Sequence, residues 1–498
     1  MAADGGGTKT RVITWEERQE AFVRRLAGRG PGDMETGTVV VVPSLSFAES
    51  ELAKITGAVH YEERLLFMLL FLRRPDVRVV YVTSLPIDPA IIDYYLRLVD
   101  DPAGARRRLR LVSLGEGDGR PLSEKLLSRP DKMEELRAAA GDPDDAYLLP
   151  FNVTPTERAL SELVGLPLYG SPPHLFWLGS KTGSRRTARQ AGVAVLEGWE
   201  DLYSLEDIEH AIELIRARSP HADAVVIKLN NGFSGQGNAI VELDGVSAPL
   251  PTSSTTFCAT EETWPAYERK IAAEGAIVEE LVRDEPMVSP SVQLRIAPGG
   301  EVEVISTHDQ VLGGPQDQVY LGCRFPADPD YRLAIQTGAQ RVGQVLAAKG
   351  VMGSFGIDFL VAHGHGGNAV YLSEINLRMG GTTHPYWMAR LATEGTYDPA
   401  TGELMAGGRP KRYVASDNLK SPALVGCTPA EVIAAVDRAG LTFDPVTGVG
   451  ATLHLLGALR QHGKMGATCI ANTLEEADAI CAELLSVLTG PAPSGLVP

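Results

Sequence analysis

From Glu374 to Met379 the chain reads EINLRM, six residues alternating polar and apolar, and then breaks at Gly380–Gly381. A period of two places side chains alternately on opposite faces, which only a β-strand satisfies. Ile375, Leu377 and Met379 make one face apolar. The other face carries a carboxylate, a carboxamide and a guanidinium (Glu374, Asn376 and Arg378), groups suited to holding a metal ion and phosphates rather than to filling a core. The preceding residues, GSFGIDFLVAHGHGGNAVYLSEINLR, read as a hairpin folded around HGHGGN. Such pairing brings Asp358 opposite Glu374 and Asn376, within about 5 Å across the ladder. Two carboxylates and an amide oxygen form a hard-oxygen set that suits Mg2+, with phosphate oxygens as its remaining ligands. The competing reading is a solvated strand face with incidental charges, and Asp358 weighs against it.

The chain has 498 residues, enough for two to four domains, and 44% of them are hydrophobic, enough for a sizeable core. A formal charge of −17 argues against a nucleic-acid or anionic-membrane surface. The five cysteines are widely spaced with no CxxC pair, so reduced thiols in a cytoplasmic setting are expected. Cys323 is read as a small core residue. The segment MAADGGGTKTRVITWEERQE lacks an apolar core of signal-peptide type, and the longest apolar run, Leu65 to Leu72, is too short to span a bilayer.

Residues 1–35 are polar and glycine-rich, with a helical pattern near Trp15 to Leu26. GTVVVVPSLSF, VRVVYVTS and LRLVSLGEGDG read as strands, with YEERLLFMLLFLRR as a helix between the first two. This spacing argues for a parallel, doubly wound sheet over 36–170. Farther on, ADAVVIKLNNGFSGQGNAIVEL is a strand, a glycine-rich loop and a second strand. No helix follows the loop, which excludes the P-loop and Rossmann fingerprints. EGAIVEELV is a further strand, and VSPSVQLRIAPGGEVEVISTHDQ reads as antiparallel pairs. TLEEADAICAELLSVL closes the chain as an amphipathic helix.

Lys228 ends its apolar strand directly before NNGFSGQGN. Gly232, Gly235 and Gly237 free the backbone there to approach phosphates, and Ser234 and Gln236 add side-chain donors. An ordinary glycine-rich β-turn is the bland alternative. Lys181 opens a basic helix with Arg185, Arg186 and Arg189, for which a solvated basic face would suffice. Glu279 and Glu280 end a strand, where they could hydrogen-bond an adenine amino group or a ribose hydroxyl.

Two lysines, a glycine loop, a Glu–Glu strand and Asp…Glu-x-Asn, in that order over Ser180 to Pro385, resemble the ATP-grasp superfamily of carboxylate–amine ligases. The segments LNNGFSGQGN, FGIDF and EINLRMGGTTHP resemble the pheganomycin-type peptide ligases of actinobacteria most closely. The resemblance implies an α/β ATP-grasp fold. Its parts would be an N-terminal α/β domain over 36–170, a mobile lid over 171–280, a central antiparallel-sheet, metal-binding subdomain over 281–409 and an α+β section over 410–498.

It also implies that Lys181 and Lys228 hold the α- and β-phosphates of ATP, with the loop from Gly232 to Gly237 closing over the triphosphate. The strand from Glu279 to Val282 would read adenine, and Glu285 would bind ribose. Asp358, Glu374 and Asn376 would hold Mg2+, with Arg378 beside the transferred phosphoryl group. The implied reaction joins a small-molecule carboxylate, a nonproteinogenic amino acid, to an amino-acid or peptide amine through an acyl phosphate. Arg295 could fork onto the donor carboxylate, while His308, Asp309, Gln310 and His384 could touch substrate; a surface charge, a polar hairpin and a turn cap are the respective alternatives. Related ligases commonly form homodimers. A small-molecule kinase or a carboxylase of the same architecture, or a non-catalytic ATP-binding protein, are the alternative functions.

Overall fold

The computed structural model describes residues 13–27, 36–232, 237–243, 250–251, 254–259, 262–282, 287–313, 319–364 and 367–490. Among them, no helix is long and apolar enough to cross a membrane.

Three sheets organise the described residues. The first is parallel, in the order Leu109–Ser113, Val77–Thr83, Gly37–Val42, Ala146–Pro150. Its central strand, GTVVVV, is buried along its whole length. Such a strand has no polar face because both sides of the sheet are covered. The expected helix after it, Ala58–Arg73, is wound as a long 3₁₀ helix. It is buried around most of its circumference, from Leu65 to Leu72 without interruption. Packing on all sides, rather than an amphipathic stripe, therefore accounts for its apolar run.

The second sheet has five antiparallel strands, ordered Gly198–Leu202, Ala276–Glu280, Ala224–Leu229, Asn238–Glu242, Thr255–Phe257. Helix Leu205–Arg218 packs on it through Ile208, Ala211, Ile212 and Ile215.

The third sheet is the largest, with eleven strands. At its heart Pro290–Ile296 lies antiparallel between Val302–Gly313 and Gly353–Gly364, and Gly367–Asn376 pairs with the last of these. Helix Arg332–Ala348 covers one face, burying Ile335, Ala339, Val342 and Leu346 against Val292, Leu294 and Phe355. Strands Arg409–Lys420 and Lys464–Ala471, from the tail of the chain, extend the same sheet. The closing helix is Leu474–Thr489.

Candidate active site

The hairpin register pairs Asp358 with Glu374 and Gly356 with Asn376. The acids therefore face each other across the ladder, as the alternation requires. Asn376 Nδ2 donates to Asp358 Oδ2 at 2.9 Å and to Glu374 Oε1 at 3.0 Å. Its Oδ1 accepts from Arg378 Nη2 at 3.0 Å. The amide nitrogen, not the expected oxygen, thus faces the acids. A half-turn of the carboxamide would present oxygen instead. Gln310 Nε2 donates to Asp358 Oδ1 at 2.9 Å. Burial raises the Asp358 carboxyl to about 6, with Lys181 and Arg378 opposing.

Lys181 reaches this pair from another element. It opens helix Lys181–Gln190, whose N-cap Ser180 Oγ accepts from Gly183 N at 3.0 Å. Asn230, directly after the Lys228 strand, ties this helix down: its Oδ1 accepts from Thr182 N at 3.0 Å and its carbonyl from Lys181 N at 3.1 Å. The Lys181 ammonium pairs with Glu374. Burial, then the nearby Lys228, pull its pKa down to about 7. Lys228 pairs with Glu279, whose other oxygen accepts from Arg185 Nη1 at 2.8 Å. Burial alone would raise the Glu279 carboxyl, but Lys228 and Arg185 together outweigh it and hold it down.

Gly232 and Gly237 pinch the neck of the loop after Lys228. A Cβ on Gly237 would meet Gly232 Cα at 3.0 Å, so a larger residue would force the neck apart by a few tenths of an ångström. Ser234, Gly235, Gln236 and Glu285 lie outside the described residues. Val282 lies just past the end of strand Ala276–Glu280.

Asp358, Glu374, Asn376, Arg378, Lys181 and Lys228 line one cleft of about 420 Å³. Arg378 is held by Met379 O at 3.1 Å and lies over the Phe47 ring, 5.3 Å from its centroid. Burial lowers it to about 10, against the pull of Asp358.

Other expectations are corrected. Arg295 is buried with its guanidinium on Glu303, at 2.8 Å, and 5.8 Å from the Trp387 centroid; it does not line the cleft. His308 shares a cross-strand row with Ser291 and Asp358, but Tyr413 and Phe325 cover it: its Nε2 meets Tyr413 Oη at 2.6 Å. Burial pushes it down to about 3. Asp309, one residue on, faces the opposite side, where it accepts from Tyr331 Oη at 2.7 Å and Asp328 N at 2.9 Å. Only Gln310 of that trio reaches the cleft. His384 is buried on helix Thr383–Thr393, its Nε2 3.0 Å from Asp417 Oδ1, and caps no exposed turn. Glu279 has both oxygens committed to cations and none to spare for a nucleotide. Glu280 Oε1 accepts from Glu197 N at 3.2 Å, and neither acid lines the cleft. Arg185 is no solvated charge: it is 1% exposed. Cys323 is buried, and burial raises its thiol to about 12.

Sequence reading missed Arg64, Gln293, Tyr320 and Lys464, all of which line the cleft. Arg64 sits beside an apolar run and Lys464 among small residues, so no local pattern marks them.

Comparison with known proteins places this geometry. The chain is 34% identical over 469 residues, 92% of its own length and 95% of the relative's, to L-propargylglycine–L-glutamate ligase of Streptantibioticus cattleyicolor. The chain belongs to the ATP-grasp superfamily, among the pheganomycin-type ligases. It is an ATP-dependent carboxylate–amine ligase, forming carbon–nitrogen bonds. A family model described as IQCH-like, ATP-grasp matches residues 252–399, and one described as PGM1 C-terminal domain matches 431–484. Two solved structures share the fold. Biotin carboxylase of Campylobacter jejuni, in complex with an ATP analogue, has a TM-score of 0.54 at 14% identity, covering 91% of this chain and 92% of that one. The biotin carboxylase domain of Hydrogenobacter thermophilus 2-oxoglutarate carboxylase, in complex with ADP and magnesium, also scores 0.54 at 14% identity, covering 90% and 89%.

Proposed function

We propose that the ligase joins the carboxylate of one amino acid to the amine of a second amino acid or a peptide, in the cleft lined by Asp358, Glu374 and Arg378. One observation carries the assignment: the registered acid pair and its amide face Lys181, Lys228 and Arg378 across a single cavity.

In this reading Lys181 and Lys228 hold the phosphates of ATP, and the loop pinched by Gly232 and Gly237 covers them. Adenine is read at the end of strand Ala276–Glu280, by Leu281 and Val282, and Glu285 is the residue proposed for ribose. A substrate carboxylate oxygen attacks the γ-phosphorus and ADP leaves, giving an acyl phosphate. The amine nitrogen then attacks the acyl carbon; the oxygen charge that builds there is stabilised by Arg378. Phosphate departs, the nitrogen loses a proton, and the amide is formed.

Asp358, Glu374 and, after a half-turn of its carboxamide, Asn376 would hold Mg2+. The donor set fits: two hard carboxylate oxygens stand opposite each other with an amide between them. The ion supplies charge neutralisation between two anionic reactants. Lys181, now on Glu374, would then turn to the phosphates.

The test supplies ATP, Mg2+ and amino acids in pairs, beginning with L-propargylglycine and L-glutamate, the pair that names the relative. Phosphate release should require both partners, with an amide product in the mass spectrum. A phosphorylated compound without amide would turn the reading to a kinase.

A further inference from the structure

Besides Lys181, Lys228 and Arg378, three more cations line the cleft: Lys54, which is paired with Glu51 at 2.9 Å, and Arg64 and Lys464. Arg64, on the 3₁₀ helix Ala58–Arg73, stacks on Tyr61 with its Cζ 4.1 Å from the ring centroid. Lys464, the first residue of strand Lys464–Ala471, has its Nζ 4.9 Å from the same centroid. It donates to Tyr61 Oη at 2.8 Å and reaches Thr56 O at 3.4 Å. Both side chains line the cleft, together with Tyr320 and Asn418.

One carboxylate serves the two. Asp417 binds Arg64 through Oδ2, while its Oδ1 meets His454 Nε2 at 2.7 Å and His384 Nε2 at 3.0 Å. Burial pushes His384 down to about 4, so it is neutral at neutral pH. The lobe thus carries two cations against one anion. Lys464 itself contacts only a hydroxyl and a carbonyl, and Arg64 Nε has no hydrogen-bond partner. The converging ligand atoms of His384, Asp417 and His454 also suggest a metal cage. A dication there would set three cationic groups around one buried carboxylate, an arrangement that desolvation makes prohibitive. The cluster is better read as a clamp on Arg64.

Arg378 lines the same cleft as the acid pair and as Arg64 and Lys464. An amino acid whose reacting group lies at Arg378 would extend its other charged end toward Arg64 and Lys464.

We propose that Arg64 and Lys464 bind the non-reacting carboxylate of an amino-acid substrate, so that the lobe selects a substrate carrying a free carboxylate away from the bond being made. The proposal rests on the ligase reading for its substrate class. A guanidinium and an ammonium held against the same aromatic ring, both lining the cleft, suit a carboxylate.

The test measures phosphate release with L-glutamate paired with a panel of amino acids, the amine-supplying partner given free or as its α-carboxamide, because amidating the donor would remove its reacting carboxylate. Lys464→Met keeps the length of the side chain and removes the charge. It should raise the KM of one free amino acid by roughly 10- to 100-fold, the range for a lost charged hydrogen bond. KM for ATP should stay within about threefold, since the interaction is confined to one substrate. Discrimination against the carboxamide, present in the wild type, should vanish in the variant. If the amine-supplying partner is unaffected, the same comparison with a donor amidated only at its non-reacting carboxylate shows whether the lobe holds the donor. Arg64→Lys, which keeps a charge on Asp417, should show the same pattern more weakly. Equal use of carboxamide and free acid by the wild type, or a change confined to kcat or to KM for ATP, would overturn the proposal. Calorimetric titration of L-glutamate in the presence of ADP separates the two readings. If no pair releases phosphate, the ligase reading fails, yet weaker binding to Lys464→Met still supports the lobe. Equal binding to both proteins, or none to the wild type, overturns it.

Discussion

The two ends of the cleft solve the burial of charge differently. At the acid-pair end each lysine meets a carboxylate: Lys181 pairs with Glu374, and Lys228 with Glu279. At the other end Arg64 pairs with Asp417, while Lys464 meets only the Tyr61 hydroxyl and the Thr56 carbonyl among the described residues. Matched charges make the first end close to neutral, so it can accept a metal ion and a triphosphate together, each partner exchanging one contact for another. The unmatched end keeps a positive balance that only an incoming anion offsets. Ion pairing is thus a resting arrangement at one end and is left incomplete at the other.

Four changes probe that contrast, beginning with the largest effect. Lys228→Met removes a phosphate contact and should lower kcat/KM for ATP by about 10²–10³-fold, in the range for a lost transition-state donor. Steady-state kinetics with ATP varied would check it. Glu279→Gln tests whether that acid supports Lys228 and Arg185 rather than touching the nucleotide. Lys228 would then lie buried without a countercharge and Arg185 would keep only Glu200, at a stability cost on the order of 3 kcal/mol by denaturant unfolding. Nucleotide affinity should fall less than in Lys228→Met. If Glu279→Gln unfolded like the wild type and lost only nucleotide binding, the support role would be wrong.

The third concerns pH. Burial lowers Lys464 to about 8, with Asp417 opposing and Arg64 adding to the shift. Tyr61 and the Thr56 carbonyl are its other neighbours. Below about 8 it is charged in the folded protein and holds the substrate carboxylate. Above 8 it sheds its proton, and KM for that substrate should rise by up to about tenfold per pH unit. Between about 8 and 10.5 the unfolded chain still holds the proton, so this group favours folding increasingly as pH rises. A KM–pH profile that is flat for the wild type, as it should be for Lys464→Met, would count against the assignment.

The smallest effect sits next to Arg64. Burial raises the Glu62 carboxyl to about 7, with Ser84 N and Oγ opposing from 2.6 Å each. Below about 4.5 both folded and unfolded chains hold its proton. From there to about 7 only the folded chain does, so stability falls with rising pH, by no more than about 3 kcal/mol. Glu62→Gln should flatten that part of a thermal-denaturation profile while leaving substrate discrimination at Arg64 in place.

Legibility followed the range of the interactions. The acid pair was readable because strand period and hairpin pairing are local, and Asp358 is only 16 residues from Glu374. The parallel sheet was readable because covered strands announce themselves as apolar runs. By contrast, Arg64 and Lys464 lie 400 residues apart and meet only through the packing of the first domain against the last strands. His308 and His384 look like site residues in a polar stretch, yet an aromatic row covers one and a buried aspartate claims the other. Glu279 looks like a nucleotide contact in the sequence, because a strand pattern cannot show which cation a buried acid will meet.

The most direct measurement of the central claim is phosphate release from ATP with both substrates present, with and without Mg2+, for wild type and Glu374→Ala. The account predicts release that needs Mg2+ and both substrates in the wild type, with a new amide formed in step. In the variant, which keeps the fold, release should fall by at least about 10³-fold, the scale of losing metal-assisted charge stabilisation. A variant that still turned over at the wild-type rate would remove the acid pair from the chemistry and contradict the account.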